Sequence, residues 1–308
     1  MLIFENDLSH FPKNKDSVVT VGTFDGLHRG HQELIGRVVA GGSPSTMVTF
    51  FPHPQAVVAK PGAEVKILTP PEEKVKWLEE MGLERLVVLQ FDRIMLNLSA
   101  QHFLEEILLG KIGLRKMVIG YDHAFGKDRK GDSAFLQRQA LKYGFEVEVV
   151  EPCFHNGKIV SSTAIRKALA AGEVRTAADM LGRNYSFWGW VVKGDCRGAK
   201  LGYPTANLNV TPTVKMLPLN GVYAVFALLR DARFPALLYI GHRPTYGCSD
   251  LTVEVFLLDF KEDLYGEKMG VELIERLRGD LTFPSEDSLV RQMRLDELKG
   301  REILSNFN

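Results

Sequence analysis

The chain has no apolar run near the roughly 18 residues that a membrane-spanning helix needs; its longest apolar stretches, such as residues 223–229, have only the length of a strand. A secretory signal is missing too, because Met1-Leu2-Ile3-Phe4 meets Glu5 and Asp7 without a basic start or an apolar core. Cysteine is scarce. Cys153, Cys196 and Cys248 are odd in number and far apart, which leaves neither a disulfide framework nor a Cys-x-x-Cys metal pair. Structural zinc is therefore not expected, and a reducing cytoplasm is the compartment that suits these thiols. Nor is there an excess of one charge: 38 lysines and arginines balance 38 aspartates and glutamates, so no overall positive field supplies generic affinity for a nucleic-acid backbone. Internal repeats and low-complexity segments are absent from the sequence.

What is present is an ordinary globular composition. The 308 residues are 45% hydrophobic and 9% aromatic, enough for a sizeable core at a length that suits two domains. Over the first part, short apolar runs at 17–24, 45–51, 85–91, 116–121 and 145–151 alternate with helical patterns, the mark of parallel strands joined by helices. Thr69-Pro70-Pro71-Glu72 supplies an N-cap, a proline at the first helical position and a capping-box glutamate, predicting a helix that runs to Met81. Further helices are expected over 99–109 and 133–143, and over 161–181 as a pair broken at Gly172. From Tyr185 the pattern changes. Strand-like runs at 187–192, 223–229, 236–240, 252–258 and 269–277 follow one another without helices between them, predicting an antiparallel sheet or barrel. A last helix is expected over 285–304. The fold class expected is α/β plus β, with domains at 1–183 and 184–308.

The first group of chemistry-bearing residues follows the strand at 17–24. It reads Gly22-Thr23-Phe24-Asp25-Gly26-Leu27-His28-Arg29-Gly30-His31, and a helix with Leu34, Ile35 and Val38 on its apolar face comes next. Glycines let the backbone approach a ligand, and a helix start presents unpaired N–H groups and partial positive charge to an anion. This is a seat for phosphate. His28 and His31 project to one side at the helix start, where imidazole N–H groups bind phosphate oxygens. Zinc is the weaker reading, since two histidines lack a third ligand. Ser161-Ser162-Thr163-Ala164-Ile165-Arg166 opens another helix with hydroxyls, helix N–H groups and a guanidinium together, all suited to triphosphate oxygens; taken alone it reads as an ordinary serine cap.

These segments resemble the His-x-Gly-His and Ser-Ser-Thr-x-Ile-Arg elements of the nucleotidyltransferases. Phe51-Pro52-His53-Pro54 and Gly120-Tyr121-Asp122-His123-Ala124-Phe125-Gly126, with Arg129 and Gly131-Asp132, narrow the likeness to bacterial FMN adenylyltransferases.

The second group is the run from Gly194 through Asp195, Cys196, Arg197, Gly198, Ala199, Lys200, Leu201, Gly202, Tyr203, Pro204, Thr205 and Ala206 to Asn207. Its glycines and basic residues suit a loop that folds over phosphates, with backbone N–H groups and cations facing the anion. It is not a Walker loop. Thr205 and Asn207 offer oxygens to a hard cation such as magnesium, or else form a polar turn after proline. Glu254 stands between Val253 and Val255, so on a strand it faces away from both; by alternation alone it is equally an exposed polar residue. Together with Ile240-Gly241-His242-Arg243-Pro244-Thr245 and Leu264-Tyr265-Gly266, this part resembles riboflavin kinase, and the whole chain resembles the bifunctional riboflavin kinase/FAD synthetases.

The resemblance implies a Rossmann-like nucleotidyltransferase domain with a parallel sheet, then an antiparallel β-barrel domain with a terminal helix. It implies riboflavin, FMN, FAD and ATP as substrates or products and magnesium as cofactor; the balanced charge and short apolar runs predict no nucleic-acid or membrane partner. By the same resemblance, ATP in the first domain lies on Gly22, Thr23, Phe24, Asp25, Ser162 and Thr163, with His28, His31 and Arg166 catalytic and Asp122 near the flavin. In the second domain Gly194, Arg197 and Lys200 belong to the ATP loop, Thr205 and Asn207 hold magnesium, Glu254 is the base, and Arg291 is either a flavin-side wall or part of a solvated face. The chain also departs from the family pattern. Cys196 and Ala199 alter the kinase loop, Tyr239 replaces an asparagine, Asp280 replaces a glutamate, and His123 and Ala124 stand where aromatic and other residues are common. Two alternatives follow: only the adenylyltransferase is active, or the chain is a non-catalytic flavin or nucleotide sensor.

Overall fold

The computed structural model describes residues 1–6, 8, 9, 11, 12, 16–42, 44–60, 65–194, 198, 201–242 and 251–307. It comprises two compact units, Met1–Ser162 and Thr163–Asn308.

In the first unit, six strands form one parallel sheet. They are β1 (Leu2–Glu5), β2 (Ser17–Val21), β3 (Ser45–Phe51), β4 (Arg85–Gln90), β5 (Leu114–Gly120) and β6 (Glu146–Val150), in the order β1-β4-β3-β2-β5-β6. The valine-rich central strands are buried on both faces, as a sheet covered by helices on each side requires. Alternate residues divide between two cores. Val19, Val48, Val87 and Met117 pack with Phe103, Leu104, Leu108 and Ile112. Val18, Met47, Leu86 and Val118 pack with Leu34, Ile35, Val38 and Leu78. Each such side chain contributes about 1.5–3 kcal/mol on burial, and a slip of one residue in a central strand would turn each row toward the opposite core and undo its packing. From β2 the chain winds one way to β3 and β4, then crosses to β5 and β6 on the other side. Ligand crevices open at the carboxyl ends of the strands where the order reverses, here beside β2 and β5.

Helix α1 (Arg29–Ala40) follows β2, and α2 (Pro54–Val58) follows β3. Helix α3 (Pro71–Glu80) begins one residue later than expected: Pro70 is the N-cap and no side chain caps it. Thr69 is buried and gives its N–H to Asp25 Oδ1 at 2.9 Å, which takes the donor that Glu72 would need for the expected capping box. Helix α4 (Arg93–Asn97), not expected, precedes α5 (Ala100–His102), which widens into a π-helix over Phe103–Ile112. Helix α6 (Ser133–Tyr143) falls where expected. A hairpin of β7 (Phe154–His155) and β8 (Lys158–Ile159) then leads to α7 (Ser162–Ala170).

The second unit carries α8 (Val174–Leu181) and six antiparallel strands that close into a barrel. These are β9 (Ser186–Val192), β10 (Ala206–Val210), β11 (Gly221–Leu229), β12 (Ala232–His242), β13 (Leu251–Leu257) and β14 (Lys268–Arg278), in the order β10-β13-β12-β11-β14-β9. The helical pair before the barrel belongs to this unit by its bonds: Leu219 N–H donates to Leu169 O at 2.9 Å, and Arg175 pairs with Glu275. Strand β10 was not expected from sequence. Its residues read as a polar turn, yet Leu208 is buried and both edges pair, with β9 and β13.

Tyr223, Val225, Leu238, Val255 and Leu273 share one face of these strands. Ala224, Phe226, Leu237 and Ile274 share the other, where α9 (Glu286–Ser305) lies against them through Leu304. Arg278 clamps α9 to β14 with a fork of hydrogen bonds to buried Asp296, its Nε at 2.9 and 3.1 Å and its Nη2 at 2.8 Å. Among the described residues no helix is long and apolar enough to cross a membrane.

Candidate active sites

The turn from β2 into α1 is built from backbone that most residues avoid. Phe24 has φ 48°, Gly26 φ 92° and Leu27 φ 43°, left-handed values that cost non-glycine residues about 1 kcal/mol or more each and persist only where surroundings hold them. Asp25, expected against ATP, is buried, and its carboxylate accepts Leu68 N–H at 3.0 Å and Thr69 N–H at 2.9 Å. The Asp25 carbonyl accepts the Ser162 hydroxyl at 2.6 Å. The Thr23 carbonyl accepts both Lys74 Nζ at 2.6 Å and Thr49 Oγ1 at 3.3 Å. Sequence reading missed Lys74, since a lysine on an amphipathic helix carries no local signal of what its amine meets.

His28 caps α1, and its Nδ1 accepts the His31 N–H at 3.3 Å. That bond leaves the His28 ring proton on Nε2, a donor for an anion. The two imidazoles stack at 3.6 Å with 19° between planes, and His31 meets the Phe24 ring edge-on at 5.1 Å. The expected common projection of the histidines is thus what the structure has. Beside the start of α1 an open cleft of about 580 Å³ is lined by Arg29, Gln32, Glu33, Glu151, Pro152 and Cys153, a volume within the range of small-molecule sites. Ser162 opens α7, with Thr163 next to it and Arg166 one turn further on the same helix.

After β5, Asp122 is exposed and its carbonyl accepts Arg129 Nη2 at 3.1 Å. Next to it the Nε2 of His123 is buried with no hydrogen-bond partner among the described residues. Burial, with Arg129 adding to it, pushes the His123 ring down to about 4. The sign follows from linkage: the unfolded ring takes a proton near 6.5 while the folded ring refuses it, so stability is full above 6.5 and falls as pH drops toward 4. At about pH 5 the loss is ~2 kcal/mol. His123→Phe is expected to lose correspondingly less stability than the parent between about pH 7.5 and pH 5, read by urea unfolding; equal losses in both proteins would contradict this.

In the barrel, β13 places Val253 and Val255 in the core and Glu254 on the opposite face, as the alternation predicts. Glu254 has Asn207 beside it on β10 and Tyr239 beside it on β12. Thr205 Oγ1 donates to Glu254 Oε2 at 2.9 Å. A Cβ at Gly194, just past the end of β9, would run into the Asn207 amide, which would have to move to admit it. Tyr239 and Asp280, the two replaced positions, prove to be neighbours: burial first, then the Asp280 carboxylate, raise the phenol above its usual range, so it stays a donor. Arg291 is exposed on α9. Arg197 and Lys200 lie outside the described residues, as do Cys196, Ala199, Arg243, Pro244 and Thr245.

Comparison with known proteins agrees with this architecture. A family model for FAD synthetase matches residues 10–164, and one for riboflavin kinase matches residues 181–304. A bifunctional riboflavin kinase/FMN adenylyltransferase of Escherichia coli is 36% identical over 302 residues, 96% of this chain and 95% of that protein. A protein of the same description from Listeria monocytogenes is 33% identical over 297 residues, 95% of this chain and 94% of its own. A crystal structure described as a macrolide-efflux protein from Streptococcus pneumoniae superposes with a TM-score of 0.88 at 31% identity, covering 98% of this chain and 99% of its own. With both families matched in order along one chain, and relatives that share that order end to end, the protein belongs to the bifunctional riboflavin kinase/FMN adenylyltransferase family.

Proposed function

We propose that residues 184–308 phosphorylate riboflavin to FMN and that residues 1–183 adenylylate the FMN to FAD, each with ATP. The observation that carries this division is the presence of two separately built groups: stacked His28 and His31 at the start of α1, and Glu254 hydrogen-bonded to Thr205 on the barrel.

In the kinase reaction Glu254 takes the proton from the 5′-hydroxyl of riboflavin as its oxygen attacks the γ-phosphorus of ATP and ADP leaves. The Thr205 hydroxyl orients the carboxylate through its 2.9 Å bond. Threonine and amide oxygens beside a carboxylate are a hard donor set, which suits magnesium. Thr205 and Asn207 would hold it, where it supplies positive charge against the phosphates. Gly194, Arg197 and Lys200 belong to the loop over the nucleotide, and Arg291 to the flavin side.

In the adenylyltransferase reaction a phosphate oxygen of FMN attacks the α-phosphorus of ATP and pyrophosphate leaves. An ionised phosphate needs no base, so positioning and charge stabilisation carry the step. His28 Nε2–H, His31 and Arg166 donate to the phosphates, Gly22 to Asp25 line the nucleotide, Ser162 and Thr163 receive the triphosphate, and Asp122 stands near the flavin. A cytoplasmic location fits the three widely spaced cysteines.

The test is a chromatographic time course of the pure protein with riboflavin, ATP and magnesium, beside one started from FMN. FMN that appears first and then yields FAD is the expected result. If only the FMN-started reaction gives FAD, the kinase loop altered at Cys196 and Ala199 is inactive; ligand binding without turnover in either would mean a sensor.

A further inference from the structure

The β2–α1 turn takes a backbone conformation that needs support from its surroundings. Three of its residues, Phe24, Gly26 and Leu27, have left-handed φ within a span of four. Two of them carry side chains that disfavour it. Besides the Ser162 hydroxyl on the Asp25 carbonyl, its bracing comes from the segment that opens α3. Leu68 and Thr69 give their N–H groups to the Asp25 carboxylate, and one turn further Lys74 reaches the Thr23 carbonyl at 2.6 Å. The first attachment is shielded, since Asp25 is 3% and Leu68 1% exposed, and the second is partly buried. A charge-assisted bond to a carbonyl away from water is stronger than its solvated counterpart. The carbonyl lies one residue before Phe24, where the strained backbone begins.

Building on the placement of ATP on this turn, we propose that Lys74 is a positioning residue of the adenylyltransferase. Its ammonium fixes the Gly22–Leu27 backbone in the conformation that receives the nucleotide, without touching ATP or FMN. Burial lowers the amine to about 8, with Asp25 acting in the opposite direction, so at neutral pH it remains an ammonium. The lysine is thus kept charged where desolvation works against it, at the carbonyl that precedes the strained backbone.

The test uses the full chain and its two reactions. Lys74→Met removes the donor, and Lys74→Arg keeps a cationic one. A turn misplaced by a fraction of an ångström weakens nucleotide binding and alignment. For Lys74→Met the KM for ATP in FAD formation is therefore expected to rise about ten-fold, while the KM for FMN and the riboflavin kinase rate stay at the parent's values. Lys74→Arg should lie between parent and Met. An unchanged KM for ATP, a fall in kcat with both KM values intact, parallel loss of the kinase, or an Arg variant no better than Met would each overturn the proposal. A fall in kcat alone would mean that less of the domain is folded. His28→Ala, assayed alongside, reports on the site itself: if it forms FAD normally, the ATP placement has failed rather than the brace.

Discussion

Replacing His28 by alanine is expected to suppress FAD formation by about 100-fold or more while FMN still accumulates from riboflavin. His28 Nδ1 accepts the His31 N–H at 3.3 Å, so Nε2 bears the proton and is a donor. Alanine removes that donor. It also removes the side-chain cap of α1 and the ring stacked on His31, a structural loss of about 1 kcal/mol. To separate the two effects, His28→Asn should restore a cap acceptor without restoring an imidazole donor. Thermal stability should then recover toward the parent's, while FAD synthesis stays low. The kinase rate is the internal reference, because the riboflavin kinase family match begins at residue 181. If His28→Ala made FAD at the parent's rate, the phosphate role of this imidazole would be wrong.

The second large effect is the converse. Glu254→Gln should lower riboflavin phosphorylation by about 100-fold or more and leave the FMN-to-FAD step intact. Glutamine is nearly isosteric, and its amide oxygen still accepts the Thr205 hydroxyl, so the local hydrogen bond is kept while the proton acceptor is lost. Strand pairing with Asn207 and Tyr239 is a backbone matter and is unaffected. A time course from riboflavin should show neither product, and one from FMN should be normal. If either variant abolished both steps in a folded protein, the two-site reading would be wrong.

These two assignments differ in how legible they were. His28 and His31 were legible because a helix start and a spacing of three residues set their relation locally, and the stacked pair is the result. The side of β13 that Glu254 occupies was legible for the same reason, from strand alternation. What it meets there was not, because Asn207 and Tyr239 come to it from other strands. Strand β10 was hidden by its composition: Asn207 and Asn209 alternate with Leu208, and only the closed barrel, which pairs both its edges, makes a strand of it. The proximity of Tyr239 and Asp280, noted separately as departures, is likewise a fact of folding.

The amino-acid order determined by itself where periodicity turns from helix-and-strand to strand-after-strand, that a helix follows the histidine motif, and that two activities share one chain. Those are local properties: a few residues, their spacing and their caps decide them. Only the tertiary structure decided that Asp25 braces its own turn by taking the N–H groups of Leu68 and Thr69, that Thr69 therefore lacks the free N–H of the expected capping box, and that Lys74 anchors Thr23. It also decided that α7 and α8 rest on the barrel, so that compactness divides the chain at Ser162 and Thr163. Each of these joins groups far apart in the chain, where the burial that makes the bond strong exists only after the sheet and barrel have closed.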